Sequence, residues 1–376
     1  MNTSSKRRAL IVGGGIAGMS TAITLRKIGM AVDLIDLDPQ WRVYGAGISI
    51  TGPTLRAFGA LGILDEVRRE GFTGDGIQVC DAQGAPSHVV PTPIVADDDV
   101  PGSGGIMRPV LHRILSEKTL ASGAQVRLGL TVDRLDSDVD GITACLSDGT
   151  SGRYDLAVGA DGVFSKVRHL LFPEAPGPVY TGQCVWRVTV PRPPEVERRM
   201  FFLGGPLKVG LTPVSRDEMY MFVLETGPKR PPMPDDQLPG ELQRLLAGYG
   251  GVLRNVREGL NPSSHVVLRP LEGFLLPRPW ERGRAILIGD AAHPTTPHLA
   301  SGAGMAVEDA LVLGEELARN GSVEAAFEGF MNRRYERCRL VVENSLEIGR
   351  REQSRAPMHE QAELVERSLR ILAEPI

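Results

Sequence analysis

A strand that runs directly into clustered glycines and then a helix of small residues leaves a chain few folds to adopt. Arg8, Ala9, Leu10, Ile11 and Val12, followed by Gly13, Gly14, Gly15, Ile16, Ala17 and Gly18, form such a stretch. Gly13 permits the turn, Gly15 leaves space for a pyrophosphate beside the backbone, and Gly18 lets the helix lie against the strand. The free N–H groups and partial positive charge at the helix start favour phosphate. The helix is expected to end near Ile28, with Ile16, Met19 and Ile23 on one face and Gly29 as its C-terminal cap. A second strand over 31–35 ends in Asp36, eighteen residues after Gly18, where a carboxylate accepts ribose hydroxyls. Strand, turn, helix and acid together define a dinucleotide site. The motif leaves open whether the dinucleotide carries a nicotinamide or a flavin.

With 376 residues the chain has room for two domains. Cys80, Cys145, Cys184 and Cys338 lie far apart without paired spacing, so neither a disulfide framework nor a metal site is expected, and a reducing cytoplasmic setting is the simplest. Behind Lys6, Arg7 and Arg8 the apolar run is too short for a signal or a membrane span. A balance of 42 basic and 46 acidic residues gives no reason to expect nucleic acid.

Further along, Gly45 and Gly47 precede an apolar strand, and the spacing predicts one helix over 54–70, with Leu55, Phe58, Leu61 and Leu64 buried. Asp97, Asp98 and Asp99 read as a solvated loop. Arg108 opens a helix, a strand follows at 125–128, and 133–146 reads as a hairpin. A second landmark is the strand over 156–160, then Asp161-Gly162 and a helix starting at Ser165. Strands are expected at 183–190, 200–203, 208–213, 219–225 and 264–268, antiparallel because their connections are too short for crossover helices. A third landmark is the strand 284–288, which stops at Gly289-Asp290. After it come Gly302, Gly304 and a helix over 305–320 with Glu308 and Asp309 in its first turn. An amphipathic helix over 323–353 and a helical, peripheral tail complete the chain.

Three glycine-acid landmarks in this order, with an aromatic sheet between the last two, resemble the single-component FAD-dependent aromatic hydroxylases, the para-hydroxybenzoate, salicylate and urate hydroxylases among them. Ile288-Gly289-Asp290-Ala291-Ala292-His293-Pro294, Pro297 and the run 302–309 carry most of the likeness. The resemblance implies an α/β fold: a Rossmann-like FAD-binding domain (1–75, 104–178 and 270–330), an inserted, mainly antiparallel substrate domain (76–103 and 179–269) and C-terminal helices (331–376). It places FAD against Gly13, Gly15, Ile16, Ala17, Gly18, Asp36, Arg42, Gly47, Arg108, Asp161, Gly289, Asp290, Pro297, Gly302, Ala303, Gly304 and Met305. Asp36 stands where the family more often has Glu, and 301–305 reads Ser-Gly-Ala-Gly-Met in place of a Gly-Gln-Gly-Ala-Asn loop.

The implied chemistry is reduction of FAD by NAD(P)H, addition of O2 to give a flavin C4a-hydroperoxide, and oxygen transfer to a small aromatic or N-heterocyclic ring. Lys208 and Tyr220 match places where flavin urate hydroxylases carry an Arg and a Tyr that serve the substrate. Here the planar fork is replaced by a point charge. Lys208, Tyr220 and Pro297 are the catalytic candidates. Trp186, as a stacking ring, Arg187, as a counter-charge, Lys208, Tyr220, Phe222 and His298 are the substrate candidates. The expected partners are a small aromatic substrate and O2, with no nucleic acid or membrane, in a monomer or homodimer.

Neighbouring chemistries fit less well. Trp41, Trp186 and Trp280 form no Trp-x-Trp halogenase motif, and no histidine completes a Phe-x-Gly-x-x-x-His Baeyer-Villiger signature. A flavin reductase without oxygen insertion, a nicotinamide dehydrogenase and a flavin-holding interaction protein remain as rivals.

Overall fold

The computed structural model describes residues 7–43, 45–92, 95 and 100–376, so Lys6 and the acidic run Asp97 to Asp99 lie outside the described residues. β1 (Arg8–Val12), α1 (Ile16–Lys27) and β2 (Ala31–Asp36) form the expected unit, the strands parallel from Arg8 opposite Ala31 to Val12 opposite Ile35. β3 (Gly47–Thr51) follows, and then the predicted single helix is divided into α2 (Gly52–Leu61) and α3 (Leu64–Glu70). The break is at Gly62, whose φ of 88° ends α2 in a left-handed cap.

β4 (Phe72–Gly74), β5 (Ile77–Cys80), β6 (Pro86–Val90) and β7 (Ser103–Met107) lead to α4 (Arg108–Ala121). β8 (Gln125–Leu128), β9 (Val132–Ser137), β10 (Ile142–Leu146), β11 (Ser151–Tyr154), β12 (Leu156–Gly159) and α5 (Lys166–Leu171) complete the first half.

The inserted region comprises β13 (Val179–Pro191), β14 (Arg199–Phe202), β15 (Lys208–Pro213) and β16 (Glu218–Thr226), then α6 (Leu238–Leu245), α7 (Val252–Gly259) and β17 (Val267–Gly273). Strand-rich by sequence, it thus carries two helices as well. The strand expected over 264–268 starts later because Ser264 is held in a turn, its N–H donating to Asn261 O at 2.8 Å. β18 (Glu281–Arg282), β19 (Ala285–Leu287), α8 (Gly302–Arg319), α9 (Val323–Gln353) and α10 (Met358–Ala373) end the fold. α9 runs unbroken through the division placed at 331.

The first sheet has the order β18-β19-β12-β1-β2-β8, and all its pairings are parallel except β18 with β19. Leu10, Ile11, Leu156 and Val158 in its central strands are fully buried, as expected for a sheet covered on both faces. The seven-stranded sheet has the order β17-β13-β16-β15-β14-β5-β6. It is mainly antiparallel, as expected; β14 pairs parallel with β5, because β5 enters from a distant part of the chain instead of by a hairpin. One face packs on α6 and α7 through Val209, Leu211, Leu242 and Leu253; the other faces the first domain.

Among the described residues no helix is long and apolar enough to cross a membrane. Cys80, Cys145, Cys184 and Cys338 are free thiols.

Candidate active site

α1 and α8 start without side-chain caps and carry no acid in their first turns, as do α2, α4 and α7, whereas α5 and α9 are capped by Ser165 and Ser322. The N-termini of α1 and α8 open on one cavity of about 540 Å³ between the two sheets, lined by Gly15, Ile16 and Ala17 on one side and Gly302 and Ala303 on the other. Two aligned sets of unused N–H groups facing one hollow are suited to a ligand with separated electron-rich groups.

The glycines divide by what surrounds them. A Cβ on Gly13 would sit 2.3 Å from Ala160 O, and one on Gly18 1.8 Å from Gly13 O, so these two hold β1, α1 and β12 together. A Cβ on Gly15 would meet nothing within 4 Å, so this position keeps space open. Within one glycine cluster, then, Gly13 and Gly18 serve tight packing and Gly15 leaves a void.

Other expected cofactor residues fall in three groups. Gly47, Arg108, Asp290, Pro297, Gly302 and Ala303 line the cavity. Gly289, Gly304 and Met305 stand behind the wall. A Cβ on Gly304 would lie 2.3 Å from Thr54 Oγ1, and Met305 is 2 % exposed. Asp36, Arg42 and Asp161 have local partners. Asp36 accepts from Gly14 N at 2.6 Å and Asp38 N at 2.8 Å, Arg42 Nε donates to Asp38 at 3.1 Å, and Asp161 accepts from Val167 N at 3.0 Å at the start of α5. The cavity is bordered instead by their neighbours Val43, Ala160 and Gly162. Trp41 Nε1 donates to Gly14 O at 2.9 Å and shields that turn.

The substrate side is built on the seven-stranded sheet. Arg187, Lys208, Tyr220, Phe222 and His298 line the cavity as expected. Trp186 does not. Side chains alternate along a strand, so when Arg187 faces the cavity its neighbour must face away. Trp186 is fully buried against the α6–α7 side, its Nε1 donating to Glu225 at 2.8 Å. Phe201 and Phe222 line the cavity instead, edge to face with ring centres 6.1 Å apart. The pair meets over Gly210, where a Cβ would lie 2.3 Å from the Phe222 ring.

Arg199 and Glu352 are the residues that sequence reasoning missed. Arg199 opens β14, one residue before the expected strand, and faces the cavity. Burial, partly offset by Tyr220, pushes its guanidinium down to about 10. Glu352, from the end of α9, accepts from Lys208 Nζ at 2.6 Å and lies 3.2 Å from His298 Nε2. Burial opposes its charge, but Lys208 and His298 together hold its carboxyl well below the usual range. The two partners are 144 residues apart, and no local signal links them.

Elsewhere on the wall, Arg187 Nε donates to Tyr220 Oη at 3.1 Å. Burial and the nearby Arg187 lower the Arg108 pKa, with Tyr220 and Asp290 opposing. Asp290 lies deep but faces the cavity, and burial raises its carboxyl against the pull of His293 and Arg108.

Behind Asp290 lies a buried ion network. Asp309 accepts from Gly289 N at 2.8 Å, pairs with His293 Nε2 at 2.7 Å and accepts from Arg334 Nε at 2.8 Å. Arg334 also donates to Glu308 at 2.6 Å, and Glu308 is held from the other side by Arg337. α8 begins at Gly302, so Glu308 and Asp309 belong to its second turn, not its first, and their charges answer arginines instead of the helix dipole. His293, Asp309 and Cys338 have potential ligand atoms within 4.8 Å, but Arg334 fills the Asp309 side of that cluster.

The comparisons with known proteins agree with this geometry. Residues 6–345 match the family model described as FAD binding domain, so the chain belongs to that family. It is 31 % identical over 346 residues to the aurachin C monooxygenase/isomerase of Stigmatella aurantiaca, covering 90 % of this chain and 88 % of the relative. It is 31 % identical over 353 residues to the 2-heptyl-3-hydroxy-4(1H)-quinolone synthase of Pseudomonas aeruginosa, covering 93 % and 90 %. Its fold matches the crystal structure of Klebsiella pneumoniae HpxO complexed with FAD and uric acid, with a TM-score of 0.84 and 25 % identity over 98 % of this chain and 96 % of that one. The protein is an FAD-dependent enzyme of the monooxygenase type, a single-component flavoprotein related to the urate and aromatic hydroxylases.

Proposed function

We propose that the protein uses NAD(P)H and O2 to hydroxylate a small aromatic or N-heterocyclic ring in the cavity between its two sheets. The single observation that carries this reading is that one hollow joins two uncapped helix N-termini to a wall bearing Tyr220, Phe201 and Phe222. The overall balance is ring C–H plus O2, NAD(P)H and a proton giving ring C–OH, water and NAD(P)+. FAD, held by the residues named below, would supply the redox chemistry between the nicotinamide and dioxygen.

The chain's own residues supply position and charge. Gly15, Ile16 and Ala17 would hold the pyrophosphate, Asp290 the ribityl chain, and the α8 start at Gly302 and Ala303 the electron-rich edge of the ring system, stabilising negative charge there. Phe201 and Phe222 orient a flat substrate by stacking and keep water from its face. Tyr220 Oη, already accepting from Arg187, keeps its proton to donate to a substrate oxygen or nitrogen. Lys208, His298 and Glu352 close the far wall as a paired set.

Incubation with labelled dioxygen and NAD(P)H tests the reading: one labelled oxygen is expected in the product, and flavin turnover yielding only peroxide across a panel of phenols and hydroxylated N-heterocycles would refute it. Tyr220→Phe is expected to keep FAD and the fold but to lower kcat/KM by roughly tenfold to a hundredfold, the cost of one charge-assisted hydrogen bond in a closed site. Unchanged turnover and coupling would remove Tyr220 from the mechanism.

A further inference from the structure

Arg187 and Arg199 face the cavity, and among the described residues neither has a carboxylate within ion-pair distance. Arg199 is 6 % exposed; its Nη1 has one hydrogen-bond partner, Ser103 Oγ at 3.3 Å, its Nε has none, and its guanidinium lies 5.7 Å from the centre of the Phe201 ring, a contact that does not neutralise its charge. Arg187 has only the Tyr220 hydroxyl. A guanidinium cannot escape burial by losing its proton, and a buried unpaired charge is strongly unfavourable. Arg199 is such a charge, and Arg187, half-buried on the same wall, also lacks a carboxylate partner; an anionic ligand would complete the ion pair for both.

Lys208 offers no such vacancy. Its ammonium is neutralised by Glu352, which also holds His298 and accepts from Gln183 Nε2 at 3.3 Å. A second anion at Lys208 would meet the Glu352 carboxylate. The sheet register keeps the two places apart: Lys208 stands opposite Leu224 on β16, whereas Tyr220 stands opposite Thr212 and Thr189.

Resting on the hydroxylase reading above, we infer that the substrate is an aromatic or N-heterocyclic carboxylate whose anionic group is received by Arg187 and Arg199 beside Tyr220, and not by Lys208. A planar guanidinium fork matches a carboxylate, and a ring attached to it lies along Phe201 and Phe222, which share the wall.

The test uses FAD-loaded, oxidised enzyme and a panel of hydroxy- and amino-substituted benzoates and pyridinecarboxylates, each against its carboxamide. 6-Hydroxynicotinate with 6-hydroxynicotinamide and 4-hydroxybenzoate with 4-hydroxybenzamide are the first pairs. Binding is read from the flavin absorption change. The best carboxylate is expected to bind roughly tenfold or more tighter than its amide, with affinity falling as salt rises. That preference should shrink to about twofold in Arg187→Met and Arg199→Met and survive in Lys208→Met. If Arg199→Met fails to fold, Arg187→Met decides.

Equal binding of acids and amides, a panel in which no carboxylate perturbs the flavin, or a preference abolished only by Lys208→Met overturns the inference. Hydroxylation confined to neutral rings would overturn it while leaving the hydroxylase reading intact. Charge-selective binding without any hydroxylated product would instead refute that reading and keep the anion seat.

Discussion

Replacing Arg334 with methionine is expected to lower stability by about 3 kcal/mol and to strip FAD from the protein, although Arg334 touches no part of the cavity wall. The guanidinium is fully buried and is shared by Glu308 and Asp309, both also buried. Removing it leaves two carboxylates short of a partner in a low-dielectric interior. The cost stays near the lower end of the usual range because Arg337 still holds Glu308 and His293 still holds Asp309. For a chain of 376 residues this corresponds to a melting temperature lower by roughly 4 °C. The flavin effect follows from position, since Asp309 fixes the Gly289 N–H and so the turn that presents Asp290. Arg334→Lys keeps the charge but not the fork and should recover only part of both losses. Differential scanning fluorimetry and the flavin-to-protein absorbance ratio measure the two effects. Wild-type stability in Arg334→Met would mean that this network does not hold the fold.

A second pair of substitutions separates packing from space. Gly18→Ala is expected to destabilise even the flavin-free protein, by about 3 kcal/mol, because its Cβ would lie 1.8 Å from Gly13 O, a backbone atom with little freedom to retreat. Gly15→Ala should leave flavin-free stability within about 0.5 kcal/mol of wild type, since its Cβ meets nothing within 4 Å and its φ of −78° suits any residue. Its cost should appear only with FAD, as an affinity weakened by roughly a hundredfold from a methyl placed where the pyrophosphate would rest. Chemical denaturation of the flavin-free proteins and FAD titration by fluorescence quenching distinguish the two outcomes. Equal FAD affinity in Gly15→Ala and wild type would count against the pyrophosphate assignment.

These expectations rest on features of very different legibility. The β1-turn-α1-β2 unit could be read directly because local rules dictate it: an apolar run, glycines where a Cβ would collide, and an acid at the next strand's end. β15 and α9 were equally plain, and α9 coincides with the predicted 323–353. The helix expected over 54–70 was misjudged where periodicity continued across Gly62 although the backbone did not. Trp186 was misassigned because residue type was weighed above strand alternation, which assigns it and Arg187 to opposite faces.

The amino-acid order alone therefore determined the dinucleotide-binding unit, the inserted sheet and the family, since these depend on spacing within short segments. Only the tertiary structure decided which cations are already neutralised and which are not. Lys208 meets Glu352 and Arg334 meets Glu308 through packing of helices on distant parts of the chain, while Arg187 and Arg199 meet no acid. Electrostatic pairing is a property of three-dimensional distance and burial, and one-dimensional spacing does not record it.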